Sequence, residues 1–159
     1  MNVRGVTPIL NVSDVPASLR WFEGLGWKRG FAWNEGGMIE GAADANAAGP
    51  ARFASVCAHD EGDDAPGQGG QIFLCQDGQG LRGGKPAPLR LDGDDDTGAM
   101  WMSVWLPSPA DVDAAHALAV MRGVTVLWPP MDEPWGVREC RIMHPDGHVF
   151  RLSAGLSEE

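Results

Sequence analysis

The side chains able to do acid–base, nucleophilic or metal chemistry are few and scattered. Four histidines, His59, His116, His144 and His148, and three cysteines, Cys57, Cys75 and Cys140, are the groups that could hold a soft metal or move a proton near neutral pH. The cysteines are odd in number, far apart and lack a C-x-x-C pair, which fits reduced packing thiols better than a disulfide framework or a zinc site. His59 stands beside an acidic run, His116 falls within a helical pattern, and His144 and His148 flank a turn, where hydrogen bonding or exposure is the expected fate. Tryptophan is abundant by contrast: there are seven Trp and no Tyr, and flat indole faces suit planar or cationic guests. Trp21 and Trp27 read as core, whereas Trp101, Trp105 and Trp135 read as stacking candidates.

Charge narrows the partners further. A net charge of -10 argues against nucleic acid, whose phosphates require a basic face. Eight of the 22 acidic residues lie in two Gly-rich runs, Asp60, Glu61, Asp63, Asp64 and Asp92, Asp94, Asp95, Asp96, and read as solvated loops. Gly78-Gln79-Gly80-Leu81-Arg82-Gly83 spells G-x-G-x-x-G, but Gly84-Lys85-Pro86-Ala87-Pro88 cannot form the helix that a dinucleotide fingerprint needs. No run is long and apolar enough for a membrane helix, and Met1-Asn2-Val3-Arg4 leads straight into a strand-like segment with no signal-peptide core. The expected location is the cytoplasm.

The elements that must position these residues follow one order twice. Val6 to Val12 reads as a strand, Ser13-Asp14 as an N-cap with Pro16 in the first turn, and Val15, Leu19, Trp21, Phe22 and Leu25 as one face of a helix ended by Gly24 and Gly26. Strand patterns follow at Trp27 to Trp33, Ala51 to Ala58 and Gln71 to Cys75, separated by polar Gly/Ala-rich loops. From Met100 the order restarts: a strand to Leu106, a helix opened by Ser108-Pro109 and running through Val112, Ala115 and Ala119 to Arg122, a Gly123 stop, and a strand Val124 to Trp128. A terminal hairpin then runs from Val137 to Met143 and from His148 to Leu152. In its turn, His144-Pro145-Asp146-Gly147, Pro fixes φ, Asp bonds its own backbone and Gly accepts φ > 0.

The opening Val12, Asp14, Ser18, Phe22 and the ending Pro134-Trp135-Gly136, Arg138-Glu139 and His144-Pro145-Asp146-Gly147 carry a resemblance. The chain resembles the glyoxalase/bleomycin-resistance/dioxygenase, or vicinal oxygen chelate, superfamily, and the Pro-Trp-Gly entrance looks most like its bleomycin-resistance branch. His144 stands where that family usually has Asp. The resemblance implies an α+β fold of two βαβββ modules whose curved mixed sheets form a concave ligand cleft. It covers one domain over 1–159, with module 1 at about 5–77, a joint at 78–98 and module 2 at about 99–155.

It also implies a divalent metal held from the first and last strands of each module, at places that fall on Thr7, about Phe73, about Trp101 and Arg151. A hydroxyl is a weak ligand, phenyl and indole offer no useful lone pair, and a guanidinium repels the ion. No metal, no other cofactor and no catalytic residue are therefore expected. If Met102, Val104 and Leu106 face the helix, period-two alternation turns Trp101, Ser103 and Trp105 to the other side, as it does Asn11 in the first strand and Phe73 beside Ile72 and Leu74. The ligand-binding residues expected are Trp101, Trp105, Trp135, Phe73, Ser103, Asn11 and Arg151. Arg151 either pairs with an acidic neighbour such as Glu139 or meets a guest carboxylate. The function expected is sequestration of a planar, cationic small molecule by a homodimer, with a metal-dependent lyase or dioxygenase as the alternative.

Overall fold

A computed structural model of the chain describes residues 6–58, 70–76 and 100–156. His59, both acidic runs, the G-x-G-x-x-G stretch and the 78–98 joint lie outside the described residues. The chain divides into two compact units, Met1–Ala87 and Pro88–Glu159, each showing among the described residues a mixed sheet and one helix of at least ten residues.

Unit 1 contains β1 (Ile9–Asn11), α1 (Val15–Gly24), β2 (Lys28–Asn34), β3 (Gly37–Ile39), β4 (Ala45–Asn46), β5 (Gly49–Pro50), β6 (Phe53–Cys57) and β7 (Gln71–Cys75). Its main sheet runs β1-β7-β6-β2-β3, with β1 parallel to β7 and the other pairs antiparallel. Helix α1 starts where Asp14 accepts the Ala17 N–H at 2.8 Å, with Pro16 in the first turn. Its buried Val15, Leu19 and Phe22 join Leu10, Ala54, Val56, Ile72 and Leu74 in the core. Trp21 and Trp27, expected in that core, are half-buried at its border and meet the buried Phe22 ring edge-on at 4.8 and 5.4 Å.

The stretch 35–50, expected as loop, folds as β3 and the small β4–β5 ribbon. Two polar residues organise it. Asn34, fully buried, donates to Asn46 Oδ1 (2.8 Å) and Gly49 O (2.7 Å) and accepts from the Gly36 N–H (2.9 Å). Arg29 reaches from β2 to the Ala42 and Ala43 carbonyls and the Asp44 carboxylate. A hydrophobic-periodicity reading does not register polar anchors of this kind.

Unit 2 contains β8 (Trp101–Trp105), α2 (Pro109–Met121), β9 (Thr125–Glu133), β10 (Val137–Met143) and β11 (Val149–Gly155), in sheet order β8-β11-β10-β9 with β8 parallel to β11. Ser108 caps α2 by accepting the Asp111 N–H at 3.3 Å, and Gly123 takes φ +70° beyond its end. Strand β9 runs five residues past the expected Trp128, through Pro129 and Pro130, because it is the sheet's edge, where a missing N–H is tolerated. The hairpin turn follows its expected chemistry with one addition. Gly147 has φ +81°, and the Asp146 N–H donates to the His144 ring at Nδ1 (3.1 Å), so His144 supplies the acceptor that an Asp would give there. Among the described residues no helix is long and apolar enough to cross a membrane.

Candidate functional site

The site grows out of the strand registers of unit 2. Parallel pairing sets Trp101 beside Val149, Ser103 beside Arg151 and Trp105 beside Ser153. Antiparallel pairing then sets Arg151 beside Arg141 and Ser153 beside Glu139, and Arg141 beside Trp128 and Glu139 beside Met131. Cross-strand partners share a sheet face. One face therefore holds the rows Ser103, Arg151, Arg141, Trp128 and Trp105, Ser153, Glu139, Met131, while the alternate residues Met102, Val104, Cys140, Ile142, Phe150 and Leu152 turn toward α2. The β9–β10 connection adds Trp135, held in a tight turn by Gly136 at φ +82° with its N–H on the Glu133 carbonyl (3.0 Å).

Glu139 is the electrostatic centre of that face. It is 1% exposed, and a carboxylate so removed from water has to be neutralised. Arg151 Nε donates to Oε2 at 2.6 Å and its terminal nitrogen pairs with the same oxygen, while Arg141 approaches Oε1 at 3.3 Å. Both guanidinium groups also lie against indoles. Arg141 is 3.5 Å from the Trp128 ring centre and 5.1 Å from that of Trp101, and Arg151 is 5.8 Å from that of Trp135. Indole surface remains open to solvent at Trp105 (65% exposed) and Trp135 (58%). Glu133 Oε1, Arg141 Nε and Ser153 Oγ are shielded from solvent and have no hydrogen-bond partner among the described residues.

Trp101, Ser103, Trp105 and Arg151 thus belong to one face of one sheet, and Trp135 stands in the adjoining turn near Arg151. Phe73 and Asn11 belong to unit 1. Phe73 forms a triad with Phe31 and Phe53, centroids 5.3 to 5.5 Å apart, and Asn11 ends β1, exposed. Arg141 and Trp128 carried no expected role, and Glu139 was expected only in the Arg138-Glu139 motif and as one possible partner of Arg151. The two-residue spacing of Glu139 and Arg141 on a strand was the available signal, since it puts both on one face.

The two places in unit 2 where a divalent metal is implied do not suit one. Arg151 is committed to Glu139, Trp101 lies beside the Arg141 guanidinium, and both Glu139 oxygens already face cations. Among the described residues no group of three or more His, Cys, Asp or Glu is assembled for a metal ion. The hairpin histidines are buried neighbours, ring centroids 5.8 Å apart, and His148 Nδ1 accepts the Met100 N–H at 3.2 Å where β8 begins. Burial pushes the His144 pKa down to about 4, opposed by the Asp146 carboxylate and reinforced by His148. Burial likewise pushes the Cys140 thiol up to about 11, so it is a neutral packing group.

Residues 6–152 match the family model described as the Glyoxalase/Bleomycin resistance protein/Dioxygenase superfamily. No curated protein matches the chain. Among solved structures, TioX from Micromonospora sp. ML1 is 20% identical with a TM-score of 0.61 over 96% of this chain and 100% of its own. The hypothetical protein SA1046 from S. aureus is 15% identical with a TM-score of 0.63 over 97% and 95%. A glyoxalase/bleomycin resistance protein/dioxygenase from Nocardioides is 20% identical with a TM-score of 0.61 over 100% and 89%. At these identities the likeness is one of fold, which leaves function to be argued from the site.

Proposed function

For a chain that belongs to the glyoxalase/bleomycin resistance protein/dioxygenase superfamily, we propose a role of binding: it sequesters a planar, cationic small molecule on the aromatic face of unit 2, in the manner of the bleomycin-resistance branch and without a metal. The observation that carries this reading is the commitment of Arg151 to Glu139 beside the open indoles of Trp105 and Trp135. A free arginine there would select anions; here Glu139 neutralises Arg151, and Glu133, on the same face through its pairing with Val137, offsets the charge of Arg141, which leaves indole faces available to cations. The shielded oxygen of Glu133, without a hydrogen-bond partner among the described residues, supports the same charge preference, because a guest N–H would satisfy it.

The reading includes a cytoplasmic homodimer, motivated by the edge strands at each end of both main sheets. Light scattering at micromolar concentration measures it, and a monomer removes this part. Ligand binding is tested by titrating intrinsic Trp fluorescence with a planar organic cation and with an aromatic acid of the same shape. The cation should quench, and Trp135→Ala should bind it about tenfold more weakly or worse, since a desolvated cation–π contact contributes about 2 kcal/mol. Quenching by the acid alone would reverse the charge assignment. Quenching by neither removes the site. One equivalent of divalent metal per chain in elemental analysis would favour the alternative, a metal-dependent lyase or dioxygenase.

A further inference from the structure

Two arginines of this chain are held in contrasting ways. Arg29 uses all three guanidinium nitrogens: Nε and one terminal nitrogen on Glu23 (3.0 and 3.3 Å), that terminal nitrogen also on Asp44 (2.9 Å), and the other on the Ala42 and Ala43 carbonyls (3.1 and 2.9 Å). Arg141 has a single polar contact among the described residues, the 3.3 Å approach to Glu139, and its shielded Nε has no acceptor. What accompanies it instead are two indoles, Trp128 at 3.5 Å and Trp101 at 5.1 Å. Arginines that serve as structural clasps satisfy their donors; this one is placed by ring faces.

The backbone makes the same point independently. In unit 2 the β8–β11 and β10–β11 ladders run in unbroken register, and the β9–β10 ladder shifts on both sides of the Arg141–Trp128 pair. Irregularities of this kind sacrifice ladder hydrogen bonds to re-aim a side chain. Here the tryptophan under the guanidinium lies between the two shifts, one of which spans Pro129 and Pro130.

We propose that Trp101 and Trp128 form a slot for a planar cation and that Arg141 is its built-in occupant, displaced by a guest amidinium or guanidinium. The proposal rests on the binding role of this face and names the subsite and ligand group within it. Guest and occupant share one geometry, a flat delocalised cation with in-plane donors, so the indoles receive either. Displacement is electrostatically permitted because Glu139 keeps its contacts with Arg151 when Arg141 leaves. A tethered competitor lowers apparent affinity by the fraction of time that it fills the slot. Arg141 therefore sets the threshold for entry, admitting only cations that stack better than its own side chain.

The test uses the full chain, with benzamidinium as probe and benzoate as its anionic isostere, read by Trp fluorescence. Arg141→Ala is expected to bind benzamidinium at least about tenfold tighter than wild type, with the gain lost in Arg141→Ala/Trp128→Ala and absent for benzoate. Arg141→Lys keeps the charge without the plane, is expected to show a smaller gain, and carries the test alone if the alanine variant does not fold. An equal affinity in wild type and Arg141→Ala overturns the slot, as does a gain in Ala with none in Lys, which would be relief of charge repulsion. A gain that survives Trp128→Ala overturns it too. If wild type binds benzamidinium and Trp135→Ala weakens it while Arg141→Ala changes nothing, the slot fails and the binding role stands. If no variant binds either probe, both fail.

Discussion

Unit 1 and unit 2 repeat one another on the helix side of their sheets and part on the other. In each, the first strand lies parallel to the last, β1 on β7 and β8 on β11, and a helix capped by Asp14 or Ser108 packs on the sheet. In each, the strand after the helix breaks register, β2 between Arg29 and Ala32, β9 around Trp128. The opposite faces differ in charge. Unit 1 presents the Phe31, Phe53, Phe73 triad and a buried Ser55; unit 2 presents indoles around two guanidinium groups and the buried carboxylate of Glu139. The helix-side core specifies the architecture, so the other face is free to differ without changing the fold, and ligand chemistry can be confined to one copy of the repeat.

The largest expected effect separates the faces by charge. Glu139→Ala removes the shared partner of Arg141 and Arg151 and leaves two half-buried cations facing each other, which costs on the order of 3–5 kcal/mol. Phe73→Ala, in the neutral triad of unit 1, removes one half-buried ring and costs about 2 kcal/mol, below the range for a fully buried phenylalanine. Urea midpoints give both values, and amide exchange assigns each to its unit. Equal costs would mean that the ion network is no more demanding than a ring cluster.

How much of this was legible before the fold was known follows from what generates each feature. The helix caps, the strand patterns and the terminal hairpin come from local residue chemistry, and Gln71–Cys75 and Val137–Met143 form over the residues expected. The alternation that separates Trp101, Ser103 and Trp105 from Met102 and Val104 is also local, and the burial of β8 follows it. The β4–β5 ribbon was not legible, because buried Asn34 and the Arg29 clasp recruit it across about a dozen residues of chain. Nor was the slot. Trp128 was assigned to a strand with no role, and its meeting with Arg141 depends on a register shift that no periodicity reports.

A second contrast is pH. His144 belongs to unit 2, and its pKa is pushed from 6.5 to about 4 by burial. The unfolded chain therefore binds the proton more readily than the folded one, so this contribution is fully present above pH 6.5. It is lost as pH falls toward 4, where the folded state protonates as well. The loss amounts to roughly 3 kcal/mol over that window, at about 1.4 kcal/mol for each pKa unit. His144→Asn keeps an acceptor for the Asp146 N–H but does not titrate, and should flatten this part of the profile. Stability measured in urea at several values across the window, wild type minus variant, gives the slope. An unchanged slope would place the pH dependence among the carboxylates instead.

The smallest expected effect tests whether the two register breaks are equivalent. In unit 1 the irregularity is filled by a hydroxyl: the Phe31 N–H donates to Ser55 Oγ at 3.0 Å, and a Cβ on Gly30 would lie 2.3 Å from that same oxygen. Ser55 is completely buried, so its hydroxyl can retreat only by rotating away and abandoning the bond to Phe31. Gly30→Ala should therefore leave a part-buried N–H unpaired and cost about 1 kcal/mol. Ser55→Ala removes the bond and the obstacle together. On the Ser55→Ala background the added cost of Gly30→Ala should fall toward zero, because the atom it strikes is gone. In unit 2 the corresponding break is filled by stacked groups, Arg141 on Trp128, and no comparable steric coupling is expected there. Additive costs at Gly30 and Ser55 would show that the hydroxyl does not hold the unit 1 bulge.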